Sequence, residues 1–404
     1  MMMRHHNWLA PGVLAMALVL ASTGAVLIAA SVAARASSGS RGVRANAAAQ
    51  PPFVGPIAPA ASGRLVCSFS NGDAADALIQ GADGGDSVVV GGRSWWLFGD
   101  TLFLPQSGKQ IEANAIAWSR QDAPGVCPRL EYHARDGVGV PFLDKDGALT
   151  VWPSGAAPVD DRAIDLFVAY VYGSGPYAYW IGEVGVARLD TRTMRVTVLN
   201  RSLWGASSGF ADQVIGAQPV DEDAEGNLRL VLTSHGGGHL LARVPRNRIA
   251  DASAYTYWDG AAWSADPGAA AFLWPRSEAT DPLERLATFD NGASIAFNPY
   301  LGKYVSVGNV GFDKIGARVA DRLEGPWSAP IVWIDCSTFA QPAAPTCYSA
   351  YQHPQLSAGG GRTLFLTFTR LATYDVVAYE VTLDDTGSIA STAEAGAAGK
   401  GDRR

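Results

Sequence analysis

The stretch Ser87-Val-Val-Val90, Gly91-Gly-Arg93, Trp95-Trp-Leu-Phe98 decides the fold. A β-branched run, a Gly-Gly turn and an aromatic run form a hairpin, because only glycine takes positive φ at both turn positions without cost. The same unit recurs along the chain. Val151-Trp152 leads to Ile164-Asp-Leu-Phe-Val-Ala-Tyr170, and Val214 to Val220 passes through an acidic turn, Asp221 to Asn227, into Leu228-Arg-Leu-Val-Leu232. Ala293 to Phe297 turns at Asn298-Pro-Tyr-Leu-Gly302 into Lys303-Tyr-Val-Ser-Val307. His353 to Leu356 turns at Gly359 to Gly361 into Thr363-Leu-Phe-Leu-Thr-Phe368. The spacing, roughly 60–75 residues, exceeds the ~40–45 of WD40 blades, so five decorated sheets around an axis are expected. A β-sandwich with irregular loops also accommodates these hairpins. The best helical candidate, Asp73 to Gln80, is only about two turns long.

Composition sets the class. The chain has 404 residues, 48% hydrophobic, with 12 Trp, 13 Tyr and 14 Phe, which excludes a disordered protein. Charged residues make up 17% and the net charge is −7, with no Lys/Arg cluster of the kind that grips phosphate backbones, so no nucleic-acid partner is expected. Residues 1–36 read as a signal peptide or membrane anchor: Arg4 precedes an uncharged apolar stretch from Trp8 to Ala34, and Ala34-Arg35-Ala36 is a small-residue cleavage pattern. Residues 37–62 are a Ser/Ala/Gly/Pro-rich linker, 63–384 the propeller and 385–404 a disordered tail. The protein is thus expected to be secreted or anchored at the outer face of the cytoplasmic membrane, and a monomer.

Cys67, Cys127, Cys336 and Cys347 suit that compartment. They lack CxxC spacing, which argues against zinc or thioredoxin chemistry. Three connectivities are open, with Cys67–Cys127 and Cys336–Cys347 the local pairs.

The segment Ala82-Asp83-Gly-Gly-Asp86-Ser87 precedes the first hairpin, and Trp96-Leu-Phe-Gly-Asp100-Thr101 closes it. The two ends of a hairpin share one rim, so Asp83 and Asp100 are expected to face one axial pocket. Paired carboxylates are what glycoside hydrolysis requires, one to move a proton and one to act as nucleophile or base. Aspartate beside glycine is also a common turn residue.

Asp83-Gly-Gly-Asp-Ser87 followed by Trp96-Leu-Phe-Gly-Asp-Thr101 resembles the opening of a family filed as domain of unknown function 4185. Gly182-Glu-Val-Gly-Val-Ala-Arg-Leu-Asp190, Asn298 to Tyr304, Gly325-Pro-Trp-Ser328, Tyr348 to Ser357 and Ala378 to Leu383 are similar to its later strands. The resemblance runs from about Gly63 to Leu383. It implies an extracellular five-bladed β-propeller and, as in some members, an endo-D-arabinofuranase (glycoside hydrolase family 183). It also implies that Asp83 and Asp100 are the catalytic carboxylates. Asp86 departs from the family pattern, where an aromatic or small residue is expected, and would add a third acid or take the place of Asp83.

Beside the acids, His353, Asn114 and Gln213 are candidates to hydrogen-bond sugar hydroxyls, and Trp96 and Trp152 to stack on sugar rings, with Trp95 and Trp204 as further aromatic faces. Packing between blades is the competing role for the tryptophans, and a structural turn for His353. Glu183 and Asp212 are secondary proton-donor candidates. Gly205-Ala-Ser207-Ser-Gly209 matches a nucleophile elbow but lacks its strand-turn-helix context. Ser234-His235-Gly-Gly-Gly-His239 carries glycines that forbid a helical metal site. No cofactor and no metal are expected. The leading reading is a hydrolase whose partner is a polysaccharide. The alternative is a non-catalytic carbohydrate-binding or adhesion propeller, set apart by whether carboxylates or only aromatics converge at the axis. A sialidase-like or lactonase-like propeller would need an axial Arg cluster or a calcium site, and neither stands out.

Overall fold

A computed structural model describes residues 60–69, 77–103, 111–120, 123–174, 179–205, 208–210, 214–234, 238–274, 294–311, 313–338 and 346–384. The leader, most of the linker, the tail, Asp212, Gln213, Ser207 and His235 lie outside the described residues. No described helix is long and apolar enough to cross a membrane.

Strand β1 (Ala60–Ser68) opens the described chain. The first blade follows with β2 (Ile79–Val90), β3 (Arg93–Phe103), β4 (Ile111–Arg120) and the short β5 (Glu131–Tyr132), decorated by a small hairpin of β6 (Ala134–Arg135) and β7 (Val138–Gly139). The second comprises β8 (Thr150–Pro158), β9 (Ala163–Gly173), β10 (Tyr179–Asp190) and β11 (Arg195–Gly205). The third has β12 (Val214–Glu222), β13 (Asn227–Ser234), β14 (Gly238–Pro245), β15 (Thr256–Trp258) and β16 (Trp263–Ser264). The fourth has β17 (Ser294–Asn298), β18 (Lys303–Asn309), β19 (Lys314–Ala320) and β20 (Ile331–Asp335). The fifth has β21 (Cys347–Gln352), β22 (Thr363–Arg370) and β23 (Asp375–Leu383), and takes β1 as its outer strand. Ladders within each blade are antiparallel, and the inner strands β2, β8, β12, β17 and β21 neighbour one another in a ring.

The recurring hairpins therefore build a five-bladed propeller. Each of the five seams between blades has its own apolar core. Alternating side chains of one strand serve two seams, as the period of two requires. Trp95 and Leu97 pack toward the second blade, whereas Trp96 and Phe98 pack toward the fifth. Leu166 faces the first blade and Phe167 the third, where Phe167 stacks on Trp204 with centroids 6.1 Å apart. The β2–β3 turn has φ of 59° at Gly91 and 73° at Gly92, as its glycines predict.

Three expectations are corrected. The inner strand of the fifth blade is Cys347–Gln352, and His353 follows it, leading into a 3-10 turn at Pro354–Leu356. Pro354 cannot donate to a ladder, which ends the strand there. The described end of the helical candidate, from Ala77 to Gln80, is turn and then strand. The acidic residues sit inside β2 and β3 rather than at their tips.

Both local disulfides form. Cys67 on β1 joins Cys127 beyond β4, with Cα atoms 5.8 Å apart, and Cys336 after β20 joins Cys347 on β21 at 6.2 Å. The first ties the closing strand to the first blade and spans 60 residues; the second spans 11. Constraint of the unfolded chain grows with the logarithm of that span, giving about 4 kcal/mol for the first and about 3 kcal/mol for the second. Replacing Cys67 and Cys127 together by Ser is expected to lower the urea midpoint more than replacing Cys336 and Cys347, as measured by equilibrium unfolding.

Candidate active site

The site begins with two irregularities in the first hairpin. Between Ala82↔Thr101 and Gly84↔Phe98 the strands carry Asp83 on one side and Gly99-Asp100 on the other, and Gly85 is a further unpaired residue before Asp86↔Leu97. Such bulges bend a strand and re-aim its side chains. Here Asp83 and Asp100 come into electrostatic contact. A Cβ at position 99 would come within 2.4 Å of Asp83 Oδ1, so any larger residue there would displace this carboxylate.

Asp83 accepts a hydrogen bond on Oδ2 from the Tyr348 hydroxyl at 3.1 Å. The Tyr374 hydroxyl lies 3.3 Å from the same oxygen and 3.0 Å from the Asp100 carbonyl, and its one proton serves one of them at a time. Burial, and next the negative charge of Asp100, push the Asp83 carboxyl up to about 8, against the lowering effect of the tyrosines. Asp100 accepts on Oδ1 from Trp152 Nε1 at 2.7 Å and from the Thr150 hydroxyl at 3.0 Å. Asp83 is therefore proton-bearing near neutrality, and both acids accept hydrogen bonds from the protein.

Asp86 is 8% exposed. Burial pushes it up to about 7, opposed by its bonds to the Ser87 N–H, at 2.8 Å, and to Gln218 on β12. It is a third acid near the axis, beside the partly buried Tyr351, whose phenol is driven above its usual range by desolvation and by the charges of Asp86 and Asp83.

His353 is wholly buried and has both ring nitrogens engaged. Thr367 donates to the Gly85 carbonyl at 3.1 Å, so at 2.9 Å it accepts from His353 Nε2–H. Nδ1 then accepts from the Ser87 hydroxyl at 2.6 Å, while Gln355 donates to Ser87 at 2.8 Å. Burial lowers this imidazole to about 3, so it stays neutral. His353 is placed to clamp the Gly85–Ser87 bulge to the fifth blade rather than to touch a sugar.

The other sequence candidates separate cleanly. Trp152 is in the site. Trp96 is fully buried and donates to the Ser119 hydroxyl at 3.1 Å, while Trp95 and Trp204 are likewise inside seams. Asn114, with no exposed surface, donates to the Leu143 carbonyl and accepts from the N–H groups of Phe142 and Leu143, fixing that loop. Glu183 lies on β10 in an ion pair with Arg201 at 2.9 Å and accepts from Tyr172 at 2.8 Å. Sequence reasoning did not single out Tyr348, Tyr374, Thr150 or Gln218. Thr150 directly precedes the Val151-Trp152 signal, and Tyr348 opens a segment already noted. Among the described residues, no group of three or more His, Cys, Asp or Glu is placed to hold a metal.

Residues 232–380 match the model of a family described as domain of unknown function 4185. The matched stretch covers the end of β13 through most of β23, so it includes Tyr348, His353 and Tyr374, while Asp83 and Asp100 precede it. Among curated proteins none matches the chain. A solved structure from Bacteroides ovatus, provisionally assigned as a hydrolase, superposes with a TM-score of 0.55 at 13% identity, covering 76% of this chain and 86% of that one. An α-L-arabinofuranosidase from Clostridium thermocellum gives 0.44 at 12% identity, covering 72% and 82%. The catalytic domain of a Coprinopsis cinerea family 62 α-L-arabinofuranosidase gives 0.45 at 9%, covering 81% and 98%. At these identities the likeness is one of fold.

The raised carboxyls carry a stability signature. An aspartate ordinarily titrates near 3.8, so between there and the raised value the folded protein holds a proton the unfolded chain has lost. Stability then falls as pH rises, by about 1.4 kcal/mol per pH unit per retained proton. Asp83→Asn is expected to gain stability over the unsubstituted protein progressively from about pH 4 to pH 8, with no pH-dependent gain below pH 4. Urea unfolding at a series of pH values checks this.

Proposed function

We propose that the protein is a glycoside hydrolase in which Asp83 is the general acid and Asp100 the nucleophile or base. The observation that carries this reading is that Asp83 is held proton-bearing by desolvation and by the negative charge of Asp100 beside it. Neighbouring carboxyls whose environments push their titrations apart divide into acid and base.

Asp83 gives its proton to the leaving glycosidic oxygen as the C–O bond breaks. Asp100 either attacks the anomeric carbon or takes a proton from the attacking water, and the separation of the two carboxyls selects between these routes. The tyrosines hold Asp83 through Oδ2. Trp152 fixes Asp100 through its indole N–H. Asp86 enlarges the acidic lining.

The resemblance to the family of domain of unknown function 4185 supports a furanose polymer such as D-arabinan as substrate, cleaved within the chain. Two disulfides suit an oxidising compartment and support action outside the cytoplasm, as a secreted or surface-anchored protein. A non-catalytic lectin is the weaker reading, because a pure binding site has no need of a desolvated, proton-bearing carboxyl.

The test is release of new reducing ends from bacterial cell-wall arabinogalactan, plant arabinan and other polysaccharides. Asp83→Asn and Asp100→Asn are each expected to lower kcat/KM by at least about 100-fold, the usual scale of acid–base catalysis. The basic limb of the kcat/KM profile should fall near pH 8. Binding to a polymer without hydrolysis by the unsubstituted protein would replace this reading with the lectin.

A further inference from the structure

Tyr374 closes the turn between β22 and β23 with φ of 49°, in the left-handed region that a residue bearing a Cβ occupies at a cost. Glycine takes that conformation freely, and Gly311 does so in the matching turn of the fourth blade, with φ of 78°. A tyrosine persists in such a place only where its surroundings hold it. Here they do. The Tyr374 carbonyl accepts from the Ala82 N–H at 3.1 Å, and Gly81 permits the approach, since a Cβ there would overlap that carbonyl. The next residue, Asp375, is buried, accepts from the Ser68 hydroxyl at 2.5 Å and pairs with Arg370 at 3.0 Å. The turn is thereby fastened from β1, β2 and β22.

What this strained turn places is a phenol. Its hydroxyl lies 3.3 Å from Asp83 Oδ2 and 3.0 Å from the Asp100 carbonyl, and it is hydrogen-bonded with the Tyr348 phenol. Rotation about the Cζ–O bond alone moves its proton from one acceptor to another while the ring stays at rest. The titratable groups facing Asp83 are Asp100 from β3, Tyr348 and Tyr351 from β21, and Tyr374 from this turn, with Asp86 on its own strand. None of these is cationic. Negative charge on Asp83 is therefore met by dipoles, those of the two phenols and the Asp100 N–H.

We propose that Tyr374 is a positioning residue that acts through Asp83. Its hydroxyl rests on the Asp100 carbonyl while Asp83 bears its proton, and turns to Asp83 Oδ2 as that proton leaves. The proposal rests on the reading of Asp83 as general acid. As the glycosidic C–O bond breaks, its electron pair stays with the leaving oxygen, which takes the Asp83 proton, and Asp83 is left as a carboxylate. Tyr374 keeps its own proton throughout. A neutral carboxyl oxygen is a weak acceptor and a carboxylate oxygen a strong one, so the new bond strengthens as the charge develops. An interaction gained at that stage lowers the barrier without tightening ground-state binding.

Tyr374→Phe keeps the ring and removes only the hydroxyl. It is expected to lower kcat about tenfold, with KM changed less than about twofold, and to move the basic limb of the profile up by about one pH unit, the scale of one hydrogen bond to a charged group. Infrared titration follows the same change without turnover: the acid band of Asp83 should be lost about one pH unit higher, with circular dichroism confirming the fold. Gly81→Ala keeps every hydroxyl but pushes the Tyr374 carbonyl aside, and should shift the band in the same direction. An unmoved band in Tyr374→Phe overturns the switch, even where hydrolysis persists. A raised KM with unchanged kcat overturns it as well, since Tyr374 would then act by binding the sugar. A shifted band in a protein that hydrolyses no polymer sinks the glycosidase reading and leaves the hydrogen-bond switch standing.

Discussion

The structure depends on closure of the ring. A propeller is a row of sheets until its last blade meets its first, and here β1 completes the fifth blade from the other end of the chain by pairing with β23. The catalytic candidates straddle that seam. Asp83 meets Tyr348 and Tyr374 across 265 and 291 residues of sequence, and Ser87 meets His353 across 266. Closing such spans costs chain entropy that the β1–β23 ladder, the seam core around Trp96 and Phe365, and the Cys67–Cys127 link together offset. The site exists only in the closed ring, so fold and function share one constraint.

Within that seam the chemistry works against stability. Two desolvated carboxyls near the axis, Asp86 buried and Asp83 partly so, are driven far above the usual aspartate range, and only part of the desolvation is recovered from tyrosine hydroxyls, Gln218 and backbone N–H groups. An apolar lining would hold the blades together at less cost. The neutral His353 relay, from Gln355 through Ser87 to the ring and on to Thr367 and Gly85, keeps the bulged segment from relaxing. Rigid second-layer contacts of this type preserve a strained local geometry. The buried histidine thus serves the site without touching its ligand.

Much of this was legible in the sequence. Four of the five inner hairpins follow from β-branched and aromatic runs, and the nearness of Asp83 and Asp100 follows from their positions on the two paired strands of the first hairpin, though inside the strands rather than at their tips. The fifth hairpin misleads because Pro354 and the Gly359–Gly361 turn imitate a strand and its turn, whereas the true inner strand, Cys347–Gln352, is short and mixed in polarity. Tryptophan content signals aromatic surface but not its direction: Trp95, Trp96 and Trp204 are spent in seams, and only Trp152 reaches the acids. Tyr348 and Tyr374 were hidden for a physical reason. Their proximity to Asp83 is created by ring closure, and nothing local to either residue encodes it.

The central claim is that Asp83 keeps its proton near neutrality because it is desolvated beside the charge of Asp100. Infrared difference spectroscopy of the carboxylic acid C=O stretch, across a pH titration, measures this directly. The account predicts two protonated-carboxyl components, one from Asp86 lost near pH 7 and one that is lost as pH passes through about 8 and is missing in Asp83→Asn. In Asp100→Asn the same band should disappear at lower pH, since one source of the upward push is gone. Loss of the Asp83 band in the ordinary aspartate range, near pH 4, would contradict the account.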